Sequence, residues 1–220
     1  MCYHRPRKMP IALLLSWALV FAVLTVRTYY KGPRILYLVF RPLTMAVIIG
    51  LVIEAGKSAP PAYRIAVAAG LVASLIGDLF MMLRRKRFSA GLAAFLVAQA
   101  CYTFAFLSGI RFRFAPVPTL TLLAYGAVLF VILNPGLKRM RVPVLFYILA
   151  ISAMVLAALE RYIQAGSPAA LAACTGAVLF LISDSVLAVD RFIRPFRAAQ
   201  AVILSTYFAA QALIAVSACL

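Results

Sequence analysis

Apolar residues in this chain come in long runs rather than in stripes. Eight stretches, at 10–26, 35–53, 62–83, 88–109, 117–133, 142–163, 168–189 and 198–219, carry almost no charge. A helix needs about 17 to 25 such residues to cross a hydrocarbon core. Nothing alternates in the manner of half-buried strands or of the roughly 10-residue segments of a membrane barrel. The predicted architecture is all-α, a polytopic integral membrane bundle of about eight transmembrane helices. Pro33, Pro60, Pro61, Pro116, Pro118, Pro135, Pro143, Pro168 and Pro195 fall at or near the joints, where a missing backbone N–H does least harm. The connections leave no room for a soluble domain, so residues 1–220 are read as one transmembrane domain.

Composition agrees. The chain is 66% hydrophobic with a mean hydropathy of +1.05, and 12% of its residues are charged, against roughly 25% in soluble proteins. A net charge of +17 would suggest nucleic acid in a soluble chain. Here the cations sit in loops, where they orient the helices and meet anionic head groups, so the expected partner is the bilayer and not nucleic acid. Arg27, Lys31, Arg34, Arg84 to Arg87, Lys138, Arg139, Arg141, Arg191, Arg194 and Arg197 all fall on odd-numbered loops, which predicts that side to be cytoplasmic and both termini to be outside. The basic start of the chain precedes an apolar run without a small-residue cleavage pattern, so an uncleaved first helix is expected. Cys2, Cys101, Cys174 and Cys219 show no CxxC spacing and His4 is the single histidine; neither a disulfide framework, a metal site nor a cofactor is expected.

The candidate chemistry lies in the acids, of which there are five. Glu54 and Glu160 end spans on one membrane face and read as boundary charges. Asp78, Asp184, Asp190 and the cation Arg41 all approach the other face. At about 1.5 Å per residue, Asp78 and Asp184 lie roughly 9 Å inside their loops, whereas Asp190 and Arg191 open a loop. An aspartate at a helix centre costs about 2.5 to 3.5 kcal/mol, and buried ones normally face a bundle interior or a wet cavity. Either Asp78 and Asp184 pair with a cation such as Arg41 and merely hold helices together, or they form a site. Gly77 and Ser183, each preceding an acid, are small enough to admit a neighbouring helix or a ligand.

"LIGDLFMMLRRKRF" at 75–88 and "LISDSVLAVDRFIRPF" at 181–196 share one plan, an apolar span ending in small-Asp followed by a basic turn. Each precedes a span with polar groups at mid-membrane: Gln99, Tyr102 and Thr103 in one, Ser205, Thr206, Tyr207 and Gln211 in the other. Four spans separate the two, so a duplication of about 1–110 and 111–220 would be parallel.

These segments, together with "FRPLTM" at 40–45, "GLAAFLVAQACYTFAF" at 91–106 and "TYFAAQALIAVS" at 206–217, resemble the YhhN-like lysoplasmalogenases, eight-helix membrane proteins of bacteria and animals. Two positions depart from the family pattern: Arg41 stands where a lysine is usual, and Gln99 where a histidine is frequent. The resemblance implies hydrolysis of the vinyl-ether bond of a lysophospholipid to a fatty aldehyde and a glycerophospho-alcohol. A bacterial cell membrane is the expected location.

Vinyl ethers cleave when an acid protonates the β-carbon and water attacks the resulting oxocarbenium ion, so the site needs a proton donor, an anion and a path for water. Two carboxyl groups in unlike surroundings can divide that work, as in glycosidases. Asp78 and Asp184 are the candidate pair, with the acid unassigned between them. Asp190 is the more solvated third candidate, free to take a proton from water, to orient Arg191 or to do neither. Arg41 is a candidate phosphate ligand, and Gln99, Tyr102, Tyr207 and Gln211 are candidates for the glycerol or the attacking water. The competing expectation is a proton-coupled transporter or lipid flippase, although no span is expected to be broken by a mid-helix proline.

Overall fold

The computed structural model describes residues 11–55, 59–83, 87–111, 113 and 115–220. Cys2, His4, the N-terminal cations, Lys57, Arg84, Arg85 and Lys86 lie outside the described residues. The described residues form eight α-helices: α1 (Ile11–Lys31), α2 (Arg34–Ala55), α3 (Pro61–Leu83), α4 (Phe88–Leu107), α5 (Pro116–Leu137), α6 (Arg141–Ala165), α7 (Pro168–Phe192) and α8 (Ala199–Ser217). Among the described residues seven helical runs are long and apolar enough to cross a membrane. The run Pro116–Ala165 is 50 residues long. It holds both α5 and α6, which fold back on one another through a 3₁₀ turn at Lys138–Met140 with Lys138 at φ 45°. The chain is a multi-pass membrane protein.

Local chemistry sets the boundaries. Pro61, Pro116 and Pro168 open α3, α5 and α7, where proline's fixed φ suits a first turn and its missing N–H would have no helical partner. The Ser167 hydroxyl caps α7 by accepting from the Ala170 N–H at 3.2 Å. Gly166, at φ 57°, ends α6 in the left-handed conformation. Several expected ends move by two to five residues, α5 for example running past 133 to Leu137. α1 continues past residue 26 to Lys31, and α7 continues to Phe192, so Asp190 and Arg191 belong to its last turn rather than opening a loop. Helical hydrogen bonding outlasts the apolar run in both cases because the added polar residues face the cavity end of the bundle. Pro42 and Pro135 lie inside α2 and α5 rather than at a joint, and both helices run on through them.

Helices α1, α2, α3, α4, α6, α7 and α8 close a ring, α8 packing on α1 as well as on α2, α3 and α7, while α5 lies outside against α6 and α7. Small residues allow close approach: a Cβ on Gly77 of α3 would lie 2.8 Å from the Phe95 ring of α4. Phe95, Phe180 and Tyr207 form a triangle of edge-to-face rings at the centre, with centroids 5.9 to 6.2 Å apart. The far end of the bundle is tied shut. Arg161 lies 4.4 Å over the Tyr63 ring and donates to the Ser108 carbonyl at 2.8 Å, and Tyr63 shares a 2.7 Å hydrogen bond with Ser217. Glu160 is buried there and accepts from Gln164 at 2.6 Å, so it is an internal group rather than a solvated boundary charge.

Candidate active site

At the opposite end of the bundle, α1, α2, α3, α4, α7 and α8 surround a cavity of about 580 Å³. Its deeper wall carries Arg41, Phe95, Asp184 and Tyr207; Arg34, Asp190, Arg191 and Gln200 stand nearer the helix ends. The side chains that matter are placed by helix register. Arg41 sits two turns into α2, and Asp78 just over one turn before the end of α3. Asp184 lies two turns, about 12 Å at 1.5 Å per residue, before the end of α7.

The two carboxyl groups occupy unlike cradles. Asp78 is completely buried. Its Oδ1 accepts from Arg41 Nη2 at 2.5 Å and Nε at 3.1 Å, and its Oδ2 from the Tyr207 hydroxyl at 2.9 Å. Arg41 Nη1 donates to the Tyr37 hydroxyl one turn earlier, at 2.6 Å. One hydrogen on each Nη nitrogen remains for a ligand, since a guanidinium carries five N–H donors. Asp184 is only partly buried, and both of its hydrogen bonds come from neutral groups, Tyr147 of α6 and Gln99 Nε2 of α4 at 3.5 Å. Both reach Oδ2. Oδ1 accepts nothing among the described residues, and Asp184 lines the cavity.

Asp184 also borders a second space. A slot of about 40 Å³ between α4, α5, α6 and α7 is almost wholly apolar, walled by Leu92, Leu129, Leu133, Val144, Ile148 and Ile151. Met81, Phe88, Asp184 and Leu187 are common to slot and cavity. Asp184 therefore stands where a polar chamber meets an apolar one.

Arg41, Asp78 and Tyr207 thus converge on one cradle, and Gln99 and Asp184 on the other. Asp190 lines the cavity, but its Oδ1 accepts from the Phe196 N–H at 3.2 Å, which fixes the α7–α8 loop. Tyr102 and Gln211 are buried deeper and bond to each other, hydroxyl to Oε1, at 2.7 Å; neither lines the cavity. Gln99 Oε1 and Gln211 Nε2 are buried with no partner among the described residues. Each such atom costs about 1 to 3 kcal/mol unless something meets it.

Four side chains at the site do not figure among the sequence candidates: Tyr37, Tyr147, Arg34 and Arg191. The arginines read from sequence as loop charges, and a tyrosine in a membrane helix reads as packing. Only the carboxyl group opposite gives Tyr147 another meaning.

Comparison with known proteins bears on this arrangement. Residues 36–218 match the family model described as the YhhN family. The chain is similar to an uncharacterised membrane protein YhhN of Escherichia coli, with 36% identity over 194 residues covering 88% of this chain and 92% of that protein. It is also similar to human lysoplasmalogenase TMEM86B, 37% identical over 154 residues, 67% of this chain and 61% of that one. Bovine lysoplasmalogenase TMEM86A is 37% identical over 164 residues, 72% of this chain and 66% of its own. No solved structure matches the chain. With the family match covering most of its length, from the second helix to the last, the chain belongs to the YhhN family.

Proposed function

We propose that this protein hydrolyses the vinyl-ether bond of lysoplasmalogens, with Asp184 as the proton donor. The observation that carries the reading is the position of Asp184, with an oxygen free of hydrogen bonds, between a cationic cavity and an apolar slot. A single-chain ether phospholipid has the same division, a phosphate at one end, a hydrocarbon at the other and the vinyl ether between. Arg41, Arg34 and Arg191 receive the phosphate, and the chain enters the slot.

Asp184 gives its proton to the β-carbon, and the π pair of the C=C bond becomes the new C–H bond. The positive charge spreads over the α-carbon and the ether oxygen. Water then adds to the α-carbon and returns a proton to Asp184; as the hemiacetal's bond from the α-carbon to the glycerol oxygen breaks, the hemiacetal hydroxyl gives up its proton and becomes the aldehyde carbonyl, and the glycerol oxygen takes up a proton to become a hydroxyl. Asp78, ion-paired with Arg41, does not deliver the proton in this scheme. It fixes the guanidinium that binds phosphate and the Tyr207 hydroxyl beside the reacting carbons. Gln99, which is buried behind Asp184 and lines neither space, donates through Nε2 to Asp184 Oδ2 and so helps to leave Oδ1 as the oxygen that faces the substrate. The relatives named lysoplasmalogenase support the substrate class.

The test is aldehyde release from choline and ethanolamine lysoplasmalogens by the purified protein in detergent. Wild type releases aldehyde, and Asp184→Asn, with its thermal midpoint retained, releases none. Absence of release across both head groups and several chain lengths rejects the reading.

A further inference from the structure

Four of the five acids fall into two pairs 106 positions apart, Glu54 with Glu160 and Asp78 with Asp184. The same spacing relates Gly70 to Gly176, and each is the point where its helix meets the next. A Cβ on Gly70 would lie 2.3 Å from the Tyr102 ring of α4, and one on Gly176 would lie 2.8 Å from Ile214 of α8. The spacing also relates Arg41 to Tyr147.

Packing repeats with the sequence. α3 pairs with α4 as α7 pairs with α8; α2 touches α3 and α8 as α6 touches α7 and α4. The hydrogen bonds follow the same exchange. Asp78 takes one donor from the second helix of its own half, Arg41, and one from the fourth helix of the other half, Tyr207. Asp184 takes Tyr147 from the second helix of its own half and Gln99 from the fourth helix of the other. Gln99 and Tyr207 are 108 apart, the α7–α8 connection being longer than that between α3 and α4. The two spaces follow the relation in part: both touch α3, α4 and α7, to which the cavity adds α1, α2 and α8 and the slot adds α5 and α6.

We propose that the two halves, about 1–110 and 111–220, are a parallel duplication in which each half builds one carboxyl cradle, and that Tyr147 is the positioning residue of Asp184, in the place Arg41 holds for Asp78. The cradles then differ at both donors, guanidinium against phenol on the second helix and phenol against carboxamide on the fourth, and only the first of these changes the charge. A guanidinium fixes a carboxylate as half of an ion pair. A phenol holds one oxygen in place by a single hydrogen bond and leaves the other to exchange a proton with a substrate. A duplication whose halves carry a cation at this position in one copy and a phenol in the other thus yields two unlike carboxyl groups from one design. The catalytic part of this proposal rests on the hydrolase reading.

Tyr147→Phe removes the phenol oxygen and little else. In the aldehyde assay it is expected to lower kcat about 10- to 100-fold while KM stays within about twofold, whereas Arg41→Lys raises KM. A second readout is independent of turnover. The infrared carboxyl absorption lost in Asp184→Asn identifies that group, and it shifts in Tyr147→Phe at unchanged thermal midpoint. Wild-type kcat in Tyr147→Phe, or an unmoved absorption, overturns the proposal. If wild type hydrolyses no lysoplasmalogen, the hydrolase reading fails instead, and the infrared comparison alone decides whether Tyr147 sets Asp184.

Discussion

Arg41 and Asp78 form the single ion pair among the described residues, and the aspartate is wholly buried. Removing one partner of such a pair leaves the other without compensation, which costs about 3 to 5 kcal/mol, whereas replacing both by apolar groups of like volume is often neutral or stabilising. Arg41→Ala is therefore expected to lower the unfolding midpoint in detergent sharply, and Arg41→Met with Asp78→Leu to recover most of it. Neither variant is expected to bind a non-cleavable alkyl-ether lysophospholipid as wild type does. Recovery of stability without recovery of binding separates the pair's part in holding helices from its part in holding ligand. The sequence made the acids conspicuous because charge in a bilayer is costly. It could not make Tyr147 conspicuous, since a phenol is cheap to place in a membrane helix. Nor could it say that Tyr102 and Gln211 face one another, because which side of a uniformly apolar helix points inward has no signature in periodicity.

At the scale of the element, glycines test whether helix contacts were read correctly. Gly70→Ala places a methyl group inside the Tyr102 ring, and that ring is also held by Gln211. Overpacking of this kind costs about 1 to 3 kcal/mol. Gly50, by contrast, has open space around its missing Cβ. Gly50→Ala is expected to be neutral or to stabilise by about 0.5 to 1 kcal/mol through helix propensity. Thermal midpoints of the two variants check both statements, and equal midpoints would show that α3 and α4 do not pack as described. The positions of the eight described helices were legible as long apolar runs, most with a proline at one joint or the other, because crossing a bilayer fixes both length and composition. Their ends were less so. The run stops at Arg27 and at Asp190, but a helix needs only its hydrogen bonds to continue, and α1 and α7 extend until Lys31 and Phe192.

Among the described residues the polar cavity lies toward one end of the bundle. The end carrying Arg34, Arg191 and Gln200 leads into the cavity, while Arg161, Tyr63 and Ser217 stitch α6, α3 and α8 together at the other end. For the proposed hydrolase one such entrance suffices, whereas a transporter must expose its site to both sides in turn. In the proposed reaction the arrangement also separates the fates of the two products. The aldehyde has the apolar slot beside α5 and with it the lipid phase. The glycerophospho-alcohol, too polar for that route, must back out past the arginines that drew its parent in. A cul-de-sac of this kind makes the water-soluble product a competitor for the way it arrived by. Glycerophosphoethanolamine added to the assay should raise the apparent KM and leave kcat alone.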